Sequence, residues 1–304
     1  MSLVVTVTPN AALDQTLHVA ALEPGTRQRV RRSHVQAGGK GVNVSRVLAR
    51  LGVPVRSVVV VGGVTGASIE RDLAESGLVP IGVPAPGDSR TCTEIIDARS
   101  GQTTQLHGPG VRGDAGVARH LVETVEAACN GASWLALCGS LAEGLPIDIY
   151  ALLIERARAR GLRVALDTSG AALVAGWRAA PEIVRVNADE VREVAGACSA
   201  SCHAARLLTV VSDGAGEIMA STPRSRLRIR PPAVRVRNPI GCGDAMLAGL
   251  LARIDACGLD DTLRFATALA SADAESVCAG RPDIARARAL EAAVELRSCV
   301  AESS

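Results

Sequence analysis

NPIGCGDAMLAGLL, residues 238–251, is the most informative segment of this 304-residue chain. Gly241 and Gly243 form a turn that runs directly into an apolar helix, which is typical of α/β proteins that bind phosphate at a helix N-terminus. Asp244 ends the turn, and a carboxylate there would repel phosphate unless it takes a proton from an attacking hydroxyl group. The segment therefore favours phosphoryl transfer with Asp244 as the base, and the simpler alternative is Asp244 as a helix cap.

A second glycine turn, GGKGVN at residues 38–43, opens another predicted helix that ends near Gly52. Lys40 is the only lysine among the 33 basic residues of the chain. A lysine kept inside a glycine turn suggests a compact ammonium group at a binding site, and chance survival of one lysine is the alternative.

Apolar, strand-like runs alternate with helical stretches rich in Ala, Leu and Arg. This alternation predicts an α/β fold with a mostly parallel sheet and helices on both faces. After Asp255 we expect helices only. The predicted strands are residues 4–7, 55–61, 134–137, 164–166, 183–186 and 207–211.

Two polar segments, residues 17–35 and 91–107, break this rhythm because they alternate at strand period, and residues 99–101 supply a hairpin turn. They predict a small β-sheet that stands off the main domain. We interpret residues 1–304 as one domain, in which the small sheet forms a lid from about residues 12–36 and 89–107.

Composition favours a cytoplasmic enzyme. A formal charge of +2 indicates no nucleic-acid or membrane partner, and the 2 Trp, 1 Tyr and 1 Phe cannot build base-stacking platforms. The 9 cysteines are scattered and odd in number, as expected for reduced thiols in a cytosol. Cys198, Cys202 and His203 could be read as part of a metal site, but they lack a second ligand pair at useful spacing.

The segment GPGVRG, residues 108–113, matches the Gly-x-Gly-x-x-Gly pattern of dinucleotide-binding proteins. The run before it is polar, and Pro109 removes an N–H group that a pyrophosphate would need. We interpret the segment as a return loop before a helix that starts near Asp114. A nicotinamide-dependent oxidoreductase is the remote alternative.

Seven short motifs in a fixed order connect the chain to a known family. The chain resembles the PfkB (ribokinase-type) carbohydrate kinases over essentially its whole length, in particular the branch that phosphorylates sugar monophosphates. The resemblance implies a ribokinase-like fold and an ATP- and Mg²⁺-dependent kinase that converts a ketohexose monophosphate to a bisphosphate. The motifs are TPNAALD (8–14), GGKGVN (38–43), CGSL (138–141), DTSG (167–170), NADE (187–190), SDGAG (212–216) and GCGD (241–244).

The sugar is expected at the carboxyl ends of the strands, where open α/β sheets bind ligands. Asp14 follows the first strand and could hold hydroxyl groups, while the Asn43 amide can donate and accept hydrogen bonds at once. The resemblance assigns sugar contact to Asp14, Gly39 and Asn43. The full predicted substrate set also contains Gly38, Lys40 and Ser140.

Three arginines suggest that the acceptor already carries a phosphate. Arg27 and Arg29 lie two apart on a strand-like segment, hence on one face, and Arg90 leads into the second lid segment. Basic residues at these places contact the sugar's phosphate in phosphosugar relatives. Chance pairing is the alternative in a chain so rich in arginine, and Gln105 stands where some relatives place a further arginine.

The nucleotide site is predicted from the second half of the chain. The resemblance implies that Asn187 and Glu190 hold Mg²⁺ through water, since this ion keeps much of its hydration. Arg185 stands before this motif in place of a lysine. The backbone of the next turn would approach ATP closely, as the matching motif does in relatives; its residues are Ser212, Gly214 and Gly216.

The turn before Asp244 would bind the transferred group. The N–H groups of Gly241, Cys242 and Gly243 are expected to stabilise charge on the γ-phosphoryl group while Asp244 deprotonates the acceptor. Cys242 stands where many relatives have alanine. A thiol at a helix N-terminus is expected to be a reactive thiolate, and a buried, inert spacer is the alternative.

Fructose 1-phosphate is the first expected acceptor, followed by tagatose 6-phosphate and then fructose 6-phosphate. An unphosphorylated sugar or nucleoside stays open, because family members of that kind share the same turn. A non-catalytic sugar-nucleotide sensor is the alternative from a different class, which the intact Asp244 disfavours. The lid also forms the dimer interface in many relatives, so a homodimer through the lid is expected.

Overall fold

The computed structural model describes residues 2–197 and 205–299. Cys198, Cys202 and His203, considered above as a metal site, lie outside the described residues.

Strands and helices alternate through most of the described chain. The strands are β1 (Val4–Thr8), β2 (Ala12–Val19), β3 (Val30–Gly38), β4 (Val55–Val61), β5 (Val79–Pro84), β6 (Arg90–Asp97), β7 (Thr103–His107), β8 (Trp134–Cys138), β9 (Arg163–Asp167), β10 (Ile183–Asn187), β11 (Leu208–Ser212), β12 (Ile218–Ser221), β13 (Arg226–Arg230) and β14 (Glu295–Cys299). The helices are α1 (Lys40–Arg50), α2 (Gly63–Glu75), α3 (Ala115–Ala128), α4 (Ile149–Ala159), α5 (Gly170–Arg178), α6 (Ala188–Ala197), α7 (Cys242–Arg253), α8 (Leu259–Ala274) and α9 (Ile284–Leu290).

The central sheet has ten strands in the order β14-β13-β12-β11-β10-β9-β8-β1-β4-β5. The strands from β11 to β5 pair in parallel. All residues of β1 and β8 are buried, because helices cover both faces and leave no face for polar side chains. This confirms the α/β fold class and the six strands predicted from apolar runs.

Two helical layers complete the core. Leu121 of α3, Leu153 of α4 and Leu173 of α5 pack on one face of the sheet. Leu48 of α1 and Leu250 of α7 pack in the cluster on the other face, together with α8. The layers bring the N-termini of α1 and α7 to the same end of the sheet, where the helices contact each other.

The expectation of helices only after Asp255 is wrong. Glu295–Cys299 forms β14, which pairs antiparallel with β13 at the edge of the central sheet. The residues of this strand are mostly exposed and carry no apolar alternation, so its conformation depends on pairing with a segment far away in the sequence.

The small sheet predicted from the two polar segments is present as four strands in the order β3-β2-β6-β7. Asp14 pairs with Gln36 on one side and Cys92 on the other, so all three side chains lie on one face. Residues 99–101 connect β6 and β7, as expected for a hairpin. The action of this sheet as a lid, and the assignment of one domain, stay predictions.

The glycine-rich segment 108–113 is a loop between β7 and α3. Gly108 N–H donates to the Thr91 carbonyl, and the Asp114 carboxylate caps α3 by accepting from Val117 N–H. The segment therefore returns the chain from the small sheet and does not follow a buried parallel strand.

Candidate active site

The phosphate turn, residues 238–243, is held in shape by its own side chains and by α8. Asn238 Oδ1 accepts from Ile240 N–H at 2.8 Å, and Gly241 has φ of +90°, a conformation that favours glycine. A Cβ atom at Gly241 would lie 2.8 Å from Asp273 Oδ2 and from Ala279 Cβ. The turn therefore requires glycine at this position for both conformation and space.

Asp244 lies in the first turn of α7 and is buried. Its Oδ2 accepts from Asn43 Nδ2 at 2.8 Å, and no side chain caps the helix, so the helix-cap alternative does not describe the structure. Burial, with repulsion from Asp167 second, raises the pKa of Asp244 to about 7. A carboxylate with this pKa is suited to accept a proton near neutral pH.

Lys40 connects the first glycine turn to two carboxylates, one at the end of β9 and one in the first turn of α6. Its Nζ lies 2.5 Å from Asp167 Oδ1 and 3.5 Å from Glu190 Oε1. Burial opposes the charge of Lys40, but attraction from Asp167, Asp244 and Glu190 outweighs burial and raises its pKa. Lys40 thus stays protonated and places a cation at the centre of the site.

Asp167 was not assigned a role from the sequence, although its motif was recognised. It ends β9 and is fully buried, and burial alone would raise its pKa, but Lys40 and Arg185 lower it. Its position could have been found, because it is a carboxylate at the carboxyl end of a strand that neighbours two predicted site strands.

Arg185 also joins the site. Its Nη2 donates to Ser212 Oγ at 2.8 Å, and its Nη1 lies 3.4 Å from Asp167 Oδ2. The guanidinium packs against Gly243, where an added Cβ would lie 2.2 Å from Arg185 Cζ. The missing side chain of Gly243 thus makes room for a cation beside the phosphate turn.

Four residues predicted for the nucleotide line one cavity of about 1080 Å³, namely Ser212, Gly214, Gly216 and Gly243. The predicted Asn187, Glu190 and Gly241 are not among the residues that line it. A phosphate turn and a cation at the same cavity provide the groups that a nucleoside triphosphate needs. These lining residues include Arg185, Ser212, Gly214, Gly216, Cys242 and Gly243.

Cys242 does not have the character expected from its place at a helix N-terminus. Burial, followed by the charges of Asp273 and Asp244, raises the pKa of the Cys242 thiol to about 12. The expectation of a stabilised thiolate is therefore wrong for the protein without bound ligand, because burial and nearby carboxylates outweigh the helix end and Arg185.

The predicted magnesium residues form a closed local pair. Glu190 Oε2 accepts from Asn187 N–H at 2.8 Å, and Asn187 Oδ1 accepts from Glu190 N–H at 2.8 Å. Glu190 Oε1 faces Lys40 instead. Among the described residues no cluster of three or more His, Cys, Asp or Glu could enclose a metal. This donor set fits Mg²⁺ held through water, with few direct protein ligands.

The sugar-side residues meet at the base of the small sheet. Burial raises the pKa of Asp14 to about 6, although Arg90 and Arg46 attract its charge. A Cβ atom at Gly38 would lie 1.9 Å from Asp14 Oδ2, so glycine leaves room for this carboxylate. Arg90 Nε donates to the Asn10 carbonyl at 3.2 Å.

Gly39 and Ser140 complete this part of the site. Gly39 has φ of +105° and precedes α1, so it turns the chain toward Lys40. Ser140 follows β8 and is exposed, and its Oγ accepts from Asn10 Nδ2 at 3.3 Å. Both therefore lie next to Asn10, in the segment that leads into β2 and Asp14.

The structure does not place Arg27 and Arg29 on a strand, so that expectation is wrong. Both are exposed and lie in the loop between β2 and β3. Gly25, with φ of +81°, and the bond from Thr26 N–H to the Glu23 carbonyl turn the chain there.

Within residues 2–197 and 205–299, none of the helices has the length and apolar character needed to cross a bilayer.

Comparison with known proteins gives one consistent family. The sequence profile described as pfkB family carbohydrate kinase matches residues 7–284. A 1-phosphofructokinase from Rhodobacter capsulatus is 38% identical over 282 residues, covering 87% of this chain and 88% of that protein. A 1-phosphofructokinase from Xanthomonas campestris pv. campestris is 37% identical over 293 residues, covering 90% and 91%.

Solved structures share the fold. Phosphofructokinase-2 from Escherichia coli in complex with fructose-6-phosphate has a TM-score of 0.84 and 26% identity, covering 96% of this chain and 99% of that chain. A possible 1-phosphofructokinase from Thermotoga maritima has a TM-score of 0.87 and 22% identity, covering 98% and 100%. At these coverages the fold extends over nearly the whole chain.

Proposed function

The chain belongs to the pfkB family of carbohydrate kinases, and on that premise we propose that it transfers the γ-phosphoryl group of ATP to a ketohexose monophosphate. Fructose 1-phosphate is the proposed acceptor and fructose 1,6-bisphosphate the product. Two relatives at 37% and 38% identity that bear the name 1-phosphofructokinase support this acceptor.

One observation carries the proposal: a buried carboxylate with a pKa of about 7 stands beside an anion-binding turn. Asp244 takes the proton of the acceptor hydroxyl, and the oxygen then attacks the γ-phosphorus in line while the bond to the β-phosphate oxygen breaks. The N–H groups of Gly241, Cys242 and Gly243 stabilise charge on the transferred group.

Cations around the turn bind the triphosphate. Lys40 and Arg185 both contact Asp167, which holds them in place before the nucleotide binds. Glu190 and Asn187 would hold Mg²⁺ through water, and the ion would neutralise charge on the phosphates when bound. The cavity is lined by Ser212, Gly214 and Gly216, whose backbone would approach the nucleotide.

The acceptor's own phosphate is assigned to the arginines near the small sheet. Arg90 contacts the loop before Asp14, so its charge lies next to the proposed sugar position. Arg27 and Arg29 lie on an exposed loop and are free to approach a ligand or a partner chain. Charge-assisted bonds from several guanidinium groups would favour a phosphorylated sugar over a free one.

Fructose 6-phosphate is the third candidate acceptor, after tagatose 6-phosphate. A relative in the fold, Escherichia coli phosphofructokinase-2, was solved in complex with that sugar phosphate at 26% identity to this chain. Tagatose 6-phosphate stays between the two in our ranking, because the sequence places no residue that distinguishes the position of the phosphate.

A homodimer through the small sheet is part of the proposal. Val35 and Leu106 are 47% and 55% exposed, and the strand register puts them on the face opposite Asp14. Leu17 and Ile95 lie on that face too. An exposed apolar sheet face of this kind favours a second copy of the same sheet.

A cytoplasmic location is proposed as well. The described cysteines are all free thiols, which fits a reducing compartment. Fractionation of cells that express the protein would test this assignment.

The experiment on the base compares Asp244→Asn with Asp260→Asn, in which the same change is made in the first turn of α8 on an exposed residue. Asp244→Asn should lower kcat at least about a hundredfold, the usual scale for a general base, while sugar phosphate and ATP still bind. In the unchanged enzyme, kcat/KM should fall as the pH drops through about 7, because protonated Asp244 in the free enzyme cannot accept a proton.

Asp260→Asn should leave turnover unchanged. If Asp244→Asn retains most of the turnover, Asp244 is not the general base and its role is structural.

A further inference from the structure

Arg46 is a buried arginine of α1 that the proposed chemistry does not use. Only 3% of its surface is exposed. Nη1 donates to Asn43 Oδ1 at 3.1 Å, and Nη2 donates to the Ala37 carbonyl at 2.7 Å. Nη2 also lies 3.4 Å from Asp72 Oδ2. Burial of a charged guanidinium group costs free energy, which its three fixed partners must offset, so a role for this side chain is expected.

The contact with Asn43 fixes the orientation of an amide that touches Asp244. Arg46 supplies only donors, so the amide oxygen of Asn43 must face it. The amide nitrogen then faces Asp244 Oδ2, where it donates at 2.8 Å. In the reverse orientation the amide nitrogen would face a cation and the amide oxygen would face a carboxylate, so both contacts would be repulsive.

We propose that Arg46 is a positioning residue, which sets the ionisation of Asp244 by holding the Asn43 amide as a donor to it. The effect on turnover rests on the proposed function, whereas the effect on Asp244 itself does not. The relay runs Arg46 to Asn43 to Asp244 across α1 and into the first turn of α7.

Other groups around Asp244 act on it directly. Asp167 of β9 raises its pKa after burial does, and Lys40 of α1 and Arg185 of β10 lower it. The thiols of Cys138 and Cys242 also face it. These groups stay in place when Arg46 is changed, because none of them is a hydrogen-bond partner of Arg46.

The relay has a defined sign. The Asn43 donor favours the charged form of Asp244 and lowers its pKa. Without Arg46 the amide can rotate, the donor is lost for part of the time, and the carboxylate becomes harder to ionise. The pKa of Asp244 should therefore rise, and the acid limb of the kcat/KM profile should move to higher pH.

The experiment measures this shift in Arg46→Met, which keeps length and removes every donor. Carbon-13 NMR of aspartate-labelled protein follows the Asp244 carboxyl through a titration, with its signal assigned from its loss in Asp244→Asn. We expect the midpoint to rise by about half a unit, within the scale of one hydrogen bond, and kcat/KM at neutral pH to fall about twofold, because the ionised fraction of a carboxyl group with a pKa near 7 falls by about that factor. Arg46→Lys keeps the charge but loses the planar, two-pronged geometry of the guanidinium group, so the Asp244 midpoint should also rise in this variant.

Two controls separate the relay from packing. Asp72→Asn removes the ion-pair partner of Arg46 that lies away from Asn43, and it should leave the Asp244 midpoint unchanged. In an Asn43→Ala background, where the relay is already cut, Arg46→Met should add no further shift.

An unchanged Asp244 midpoint in both Arg46→Met and Arg46→Lys would overturn the proposal, and so would an equal shift in Asp72→Asn. The outcomes for the base are separate. If Asp244→Asn retains turnover but Arg46→Met still shifts the titration, the base assignment fails and the relay stands. If Asp244→Asn abolishes turnover but the Asp244 titration midpoint is the same in the Arg46 variants as in the unchanged protein, the relay fails and the base assignment stands.

Discussion

Asp244 and Asp167 lie in one buried cluster, yet their neighbours favour opposite protonation states. Burial is the largest influence on both carboxyl groups, and on its own it would raise the pKa of each. Asp167 receives Lys40 and Arg185 as direct partners, which lower its pKa below the usual value, whereas Asp244 receives only a neutral amide. Two carboxylates with separated pKa values indicate an anchor and a base.

Cys242 gives a prediction at the same scale. With a thiol pKa of about 12, almost no thiolate exists near neutral pH, so iodoacetamide should modify Cys242 more slowly than the exposed Cys257. Mass mapping during partial alkylation measures both sites. Cys242→Ala should retain activity. Modification of Cys242 first, together with loss of turnover, would contradict the raised pKa of this half-buried thiol.

Gly243 gives a second prediction, because its missing side chain accommodates Arg185. Gly243→Ala places a Cβ 2.2 Å from the guanidinium and forces Arg185 away from Ser212 and Asp167. The KM for ATP should rise at least about tenfold, the scale of a lost charge-assisted bond, while the fold is kept. Steady-state kinetics and thermal unfolding measure the two effects.

The control for this change is Gly258→Ala, since Gly258 has φ of −63° and nothing within 4 Å of an added Cβ. This control should behave as the unchanged enzyme. In an Arg185→Met background, Gly243→Ala should cause little further rise in the KM for ATP. If the effects of the two changes on this KM were fully additive, Arg185 would not be the group that Gly243→Ala displaces.

The small sheet carries the prediction at the scale of the element. Leu106→Glu with Val35→Glu should convert a dimer to a monomer, because charges would be buried in an apolar interface. Sedimentation velocity measures the mass. The matched control is Val64→Glu, an 80% exposed valine of α2 in the main domain, which should leave the dimer intact. If the unchanged protein sediments as a monomer, the proposed dimer interface on the small sheet is wrong.

Elements whose signal is local could be predicted, and elements that depend on distant pairing could not. Buried parallel strands such as Val55–Val61, which ends in four consecutive valines, contain apolar runs that the sequence identifies. The strand Glu295–Cys299 has one leucine and two charges, and its structure comes from pairing with Arg226–Arg230. The loop that carries Arg27 was interpreted as strand because alternation in a polar segment does not reveal where a turn interrupts it.

At the scale of the whole molecule, the sequence motifs predicted which strand ends form the site but not the contacts between them. Lys40 was recognised as unusual, yet its bond to Asp167 depends on the adjacency of α1 and β9. The same applies to Asn43, expected as a sugar ligand, which donates to Asp244 across the α1–α7 contact. Such pairings follow from tertiary packing and leave no trace in residue spacing.

The whole arrangement makes one claim about selectivity. In the proposed mechanism a cation-lined turn would bind the triphosphate, Asp244 would accept the proton, and guanidinium groups near Asp14 would bind a phosphate already on the sugar. Losing that phosphate from the substrate should cost at least about tenfold in kcat/KM, because a charge-assisted bond contributes about 1.5 to 3 kcal/mol.

The most direct test is ADP release with fructose 1-phosphate, tagatose 6-phosphate, fructose 6-phosphate, fructose and ribose, measured in parallel under saturating Mg·ATP. We expect the highest kcat/KM for fructose 1-phosphate and at least about tenfold less for free fructose. Arg90→Ala should reduce this ratio by raising the KM for the phosphorylated sugar. Equal kcat/KM for fructose and fructose 1-phosphate would contradict this expectation.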